Sequence, residues 1–263
     1  MEMLVLVFIF GLLIGSFLNV CIWRMPRDLS VIRPYRSFCP KCNTQLSALE
    51  NIPIVSWFFL RGRCKSCHNP ISGRYPLVEF LSGIFAALSF INFGLTLTAL
   101  VIYIYAASLI VITFIDLDFK IIPDAISLSG IVIGLIIGAV NGFYPGIFVA
   151  PISQSALSSL FGVLVGAGLP LAIFYGYYLC TKKEGLGMGD VKLLGLIGAL
   201  FGWQAAIATI FIGSFFGAIF GIGLMVFGSA GRNTEIPFGP WLALGALLHL
   251  FLPEYFVIFS MTL

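Results

Sequence analysis

Charge is scarce in this chain. Of its 263 residues only 10% are Asp, Glu, Lys or Arg, against about 25% in soluble domains. With 60% hydrophobic residues and a mean hydropathy of +1.08, that shortage excludes an ordinary soluble domain. Histidine is scarce too, with only His68 and His249 present. No serine stands in a nucleophile elbow, and neither histidine is matched to a candidate nucleophile, so a Ser–His or Cys–His hydrolase has no support. Gly185-Leu-Gly-Met-Gly-Asp190 also misses the dinucleotide fingerprint. Asp190 stands where the third glycine belongs, and an apolar helix rather than a strand precedes it.

What is abundant is apolar sequence in blocks, most of them long enough to cross a hydrocarbon core of about 30 Å as helix. Eight blocks are predicted: Met3 to Trp23, Leu77 to Gly94, Thr96 to Ile115, Ala125 to Val140, Ala156 to Leu179, Val191 to Phe201, Ala205 to Phe227 and Trp241 to Phe259. The sixth is short, and its break from the seventh falls at Gly202-Trp203-Gln204. The first lacks a basic n-region and a small-residue cleavage site, so it reads as a retained helix. With eight crossings all 14 basic residues share one side: nine between Arg24 and Arg74, then Lys120, Lys182, Lys183, Lys192 and Arg232. Basic loops mark the cytoplasmic face. The expected fold is therefore all-α and polytopic, with both termini outside. Its expected organisation is a first transmembrane helix over 1–23, a cytoplasmic loop over 24–76 and a membrane domain over 77–263.

The loop from Arg24 to Pro76 carries Cys39-Pro-Lys-Cys42 and Cys64-Lys-Ser-Cys67, with 21 residues between the pairs. Zinc takes four thiolates tetrahedrally, and a C-x-x-C turn lets two sulfurs reach one ion. Disulfides are disfavoured in a reducing compartment, and no βαβ pattern supports a thioredoxin-like motif. Cys39, Cys42, Cys64 and Cys67 are therefore expected to hold a structural Zn²⁺ that organises a loop too poor in large apolar residues to build a core. Orientation determinants account for its Arg and Lys without a nucleic-acid partner. Cys21 and Cys180 read as small buried hydrophobes. His68 reads as a solvated surface residue, and His249 as hydrogen-bonded within a bundle.

Carboxylates beside apolar helices are costly and call for a partner or a function. Asp116, Asp118 and Asp124 follow the third block, and Asp190 opens the sixth; topology puts all four at one edge. Asp124, after Pro123 and before a helix, reads as an N-cap. Asp118 reads as a solvated end residue or a neighbour of Lys120. Gly187 and Gly189 ahead of Asp190 permit a closer backbone approach than a helix cap requires. Asp116 and Asp190 thus form the best catalytic constellation, since two carboxyls sharing a proton can hydrolyse an amide. The negative end of a helix favours a neutral carboxyl and the positive end a charged one, so Asp116 is expected as the acid and Asp190 as the base. A transporter would instead place acids at the midplane with an internal repeat; neither is found.

Together these residues resemble the bacterial type 4 prepilin peptidases, membrane aspartic enzymes with a G-x-G-D motif. The resemblance spans nearly the whole chain: Gly15-Ser-Phe-Leu-Asn-Val20 running into Arg24-Met-Pro26, both C-x-x-C pairs, Glu50-Asn-Ile-Pro53, Arg74-Tyr-Pro-Leu-Val-Glu79, the Asp116 to Asp124 segment, Lys183-Glu-Gly-Leu-Gly-Met-Gly-Asp190 and Ile236-Pro-Phe-Gly-Pro240. It implies that Asp116 and Asp190 are catalytic and that a prepilin or pseudopilin is cleaved after its basic leader on the cytoplasmic side, with Asp118 and Glu184 as candidate contacts for that leader. It further implies N-methylation of the new terminus with S-adenosylmethionine, an activity associated with the cysteine loop. Ser72-Gly73 stands where relatives often carry Gly-Lys, while all four cysteines are retained.

Overall fold

The structure, a computed structural model, describes residues 1–182, 187–228 and 237–252. Among them the regular elements are all helical, apart from two isolated β-bridges. Each of the eight apolar blocks forms a helix. The chain divides into two compact units that meet in sequence between Ile115 and Asp116.

The first unit contains α1 (Glu2–Arg24), a short α2 (Val55–Phe59), α3 (Arg74–Phe93) and most of α4 (Leu97–Phe119). α1 and α3 pack together because Gly11 and Gly15, four residues apart, leave the α1 backbone bare on one face. A Cβ on Gly15 would lie 2.5 Å from the Cα of Glu79, and one on Gly11 2.8 Å from the Cα of Gly83. Polar bonds pin the contact: Ser82 Oγ donates to the Gly11 carbonyl at 2.7 Å, and Asn19 Nδ2 donates to the Tyr75 carbonyl at 3.1 Å.

The second unit holds α5 (Asp124–Phe143), α6 (Ala156–Thr181), α7 (Met188–Phe201), α8 (Trp203–Val226) and α9 (Gly239–Phe251). α7 is its axis. It packs against α5, α6 and α8 and is buried continuously from Val191 to Leu200 except at Lys192. A helix apolar all round belongs inside a bundle. The break between α7 and α8 is a single residue, Gly202, at φ +85°, a backbone setting that glycine adopts without penalty.

Among the described residues, six helices are long and apolar enough to cross a membrane: α1, α3, α4, α5, α6 and α8. α7 has 14 residues, about 20 Å at 1.5 Å per residue, which is shorter than a full span; α9 has 13 among the described residues. Residues past 252 lie outside the described part.

Candidate active site and metal centre

Asp116 lies in the last turn of α4, which continues to Phe119 rather than stopping at Ile115. It is 6% exposed, and its Oδ2 accepts the backbone N–H of Gly239 at 2.9 Å. Gly239 is the first residue of α9, so the donor is one of the unpaired amides at a helix start. A Cβ there would sit 2.8 Å from that oxygen, and only glycine lets the amide come this close. Sequence reasoning missed Gly239, although a glycine between Phe238 and Pro240 at a helix start was a usable signal.

Asp190 stands three residues past Gly187, the N-cap of α7, and is 8% exposed. A carboxylate at that position reaches back to the N-cap amide, as in a capping box, and the Gly187 amide does interact with it. Burial nevertheless pushes Asp190 up to about 7, and the neighbouring Asp116 carboxyl adds to the rise. The helix-end reasoning gave the opposite direction, because it left out desolvation, which here outweighs a cap. The action of Asp116 on Asp190 marks the two aspartates as members of one site. The room beside the glycines is used by the protein itself: a Cβ on Gly187 would meet Asp190 Oδ2 at 3.0 Å, and one on Gly189 would meet Ile122 at 3.0 Å.

Of the other acids, one departs from expectation and one agrees with it. Asp124 is not an N-cap; Pro123 holds that place, and Asp124 is the first helical residue, paired with Lys192 Nζ at 2.6 Å. Asp118 is exposed. Glu184 lies outside the described residues. Cys180 is exposed rather than buried, whereas Cys21 is buried. His249 Nδ1 is buried with no hydrogen-bond partner among the described residues, against the expected bond.

The four loop cysteines converge, with all sulfurs within 4.8 Å of one another. Cys39 and Cys67 are 3.9 Å apart at sulfur, and Cys42 and Cys64 are 4.0 Å apart. Tetrahedral bonds of about 2.3 Å require sulfurs separated by about 3.8 Å, so the set fits a four-thiolate metal and is far too open for disulfides. Each pair sits on the same hairpin, repeated 25 residues later. Cys39 N–H donates to Thr44 O and Cys64 N–H to Asn69 O, both at 2.9 Å. Asn43 and His68 follow the second cysteine at φ +56° and +55°. Amides of Thr44, Ser66, Cys67 and Asn69 act on the sulfurs, as thiolates require. His68 is exposed and outside the cluster.

Comparison with known proteins matches residues 9–93 to the bacterial peptidase A24 N-terminal domain and residues 103–222 to the type IV leader peptidase family. Relatives named prepilin leader peptidase/N-methyltransferase include proteins of Aeromonas salmonicida, 38% identical over 93% of this chain and 89% of the relative, and Legionella pneumophila, 35% identical over 95% and 91%. The chain belongs to the type IV leader peptidase family. No solved structure matches it significantly. Within this leader-peptidase framework, Gly239→Ala is expected to slow leader removal on the order of tenfold to a hundredfold, the worth of a hydrogen bond to a charged group. Gly168→Ala serves as the control, since an added Cβ there meets nothing within 4 Å. Initial rates on one peptide substrate check this; a wild-type rate for the Gly239 variant would refute it.

Proposed function

We propose that this chain is a membrane aspartic endopeptidase that removes the basic leader of type 4 prepilins or pseudopilins at the cytoplasmic face of the inner membrane and then methylates the new N-terminal amine. The observation that carries the reading is the pair of buried aspartates, Asp116 and Asp190, the first acting on the charge of the second. Relatives carrying both activities in their names support it.

Asp116 is assigned the ionised role and Asp190 the protonated one, because burial together with the Asp116 charge pushes Asp190 up to about 7. Asp116 takes a proton from water as the water attacks the scissile carbonyl. Asp190 donates to the carbonyl oxygen. As the intermediate collapses, Asp116 passes its proton to the leaving nitrogen and Asp190 regains one from a hydroxyl of the intermediate, so the C–N bond breaks, the leader leaves as an acid and the amine of the mature chain is freed. Burial of both carboxyls keeps bulk water from competing. The substrate's apolar N-terminal helix enters laterally between membrane helices, with its basic leader toward the acidic edge, where Asp118 and Glu184 are candidate contacts.

Cys39, Cys42, Cys64 and Cys67 hold a structural zinc ion that fixes the loop between α1 and α3. S-adenosylmethionine supplies the methyl group.

The test is incubation of the purified protein with a synthetic prepilin and S-adenosylmethionine, followed by mass measurement across pH. Leader loss and the gain of one methyl mass are read separately. Asp190 must hold its proton, so cleavage is expected to fall as pH rises through about 7, the alkaline limb of a bell-shaped profile. A rate unchanged across that value would remove the proton from Asp190.

A further inference from the structure

The first unit encloses a cavity of about 370 Å³ that neither aspartate lines, within the range of small-molecule sites. Trp23, Trp57 and Tyr75 contribute aromatic surface and Glu79 a carboxylate. Glu79 is only 8% exposed. Its Oε2 accepts the Ile54 amide at 2.7 Å, and the Ser16 hydroxyl donates to the same carboxyl. Among the described residues no Lys or Arg pairs with it. Arg24, which also lines the cavity, is committed to the carbonyls of Ser30, Val31 and Pro34 at 3.0, 3.4 and 3.1 Å.

A buried carboxylate without a counter-ion is expensive, and a ligand that brings the missing positive charge would remove that cost. The residue that positions Glu79 is itself strained. Ile54 holds φ +61°, ψ −53°, where a β-branched residue is a genuine outlier. Such strain gathers at ligand sites, and here it aims an amide into the cavity wall.

We propose that this cavity binds S-adenosylmethionine and that Glu79 reads the sulfonium charge; this rests on the methyltransferase reading above. Aromatic faces suit both a cation and an adenine ring. Lys41 and Lys65, which also line the cavity, suit the donor's carboxylate. In the transfer the amine nitrogen bonds the methyl carbon as the carbon–sulfur bond breaks. That electron pair returns to sulfur, and the amine proton leaves to water. The product is an uncharged thioether, so a carboxylate that holds the donor by its charge releases the product.

The test uses full-length protein in detergent and measures binding of S-adenosylmethionine and S-adenosylhomocysteine. Wild type is expected to prefer the sulfonium. Glu79→Gln is expected to weaken S-adenosylmethionine by about tenfold, equivalent to 1.4 kcal/mol, with little change for the thioether, and Glu79→Asp to restore part of the preference. A photoreactive azidoadenosine form of the donor is expected to label wild-type residues between Ser16 and Glu79, a readout independent of variant folding. Equal weakening of both ligands in a Gln variant of unchanged melting temperature, or labelling confined to the second unit, overturns the proposal. Wild type that methylates while the Gln variant binds normally defeats the role of Glu79 alone; wild type that cleaves without methylating defeats the methyltransferase reading.

Discussion

Asn in place of either Asp116 or Asp190 is expected to lower leader cleavage by a factor on the order of 10² to 10⁴ or more, the usual worth of a positioned acid or base. Asn has nearly the shape of Asp, so the Gly239 amide still meets an oxygen at position 116 and the bundle keeps its packing. What is lost is the ability to take or return a proton. The two groups act as a unit, so the double variant is expected to be no slower than the worse single one. The singles should differ in their residual pH dependence. In Asp116→Asn the neighbouring charge that helps raise Asp190 is gone, and the alkaline limb should move to lower pH. Rates by mass measurement, with melting temperature as the folding control, decide the matter. A single variant that processes prepilin at the normal rate removes its aspartate from the mechanism.

Cys42→Ser is expected to abolish metal binding and unfold the loop it organises. Between Met25 and Gly73 only Cys39, Pro53, Gly62 and Cys64 are buried, and two of these four belong to the cysteine cluster. Nothing else resembling a core holds the segment. A metal bound by the four cysteines would therefore supply most of its stability, since structural zinc sites contribute about 10–16 kcal/mol of apparent binding energy. Elemental analysis should read about one zinc per wild-type chain and none in the variant, with limited proteolysis newly cutting between Arg36 and Gly73. Methylation should be lost with the loop, because cavity-lining residues such as Trp57 and Cys39 belong to it. A zinc-free wild-type protein with a protease-resistant loop would refute the assignment.

The helices were legible because each apolar block carries its own signal, and the ends that fall among the described residues lie within a few residues of those expected. The cysteine cluster was legible for a similar reason, since C-x-x-C spacing is local. What could not be read was set by contacts distant in sequence. Asp124 meets Lys192, 68 residues away, and so is an ion-pair partner rather than a cap. Gly239 meets Asp116 across 123 residues. The state of Asp190 depends on how deeply α7 is packed, which helix polarity alone does not reveal. α7 also proved shorter than a span, because hydrophobicity reports burial in a bundle as readily as burial in lipid.

That last distinction bears on how the protein can drift in evolution. In α6 only 22% of the apolar window is buried inside the protein, so most of its side chains need only be greasy, and Leu, Ile, Val and Phe can replace one another freely there. α7 has no such latitude. An added Cβ on Gly198 would collide with the backbone of Gly162, and one on Gly195 would press on Ala167 and Ile131 at 3.2 Å. Divergence among leader peptidases should accordingly collect on α6 and spare α7, where a change of a single methyl group would be felt at Asp190.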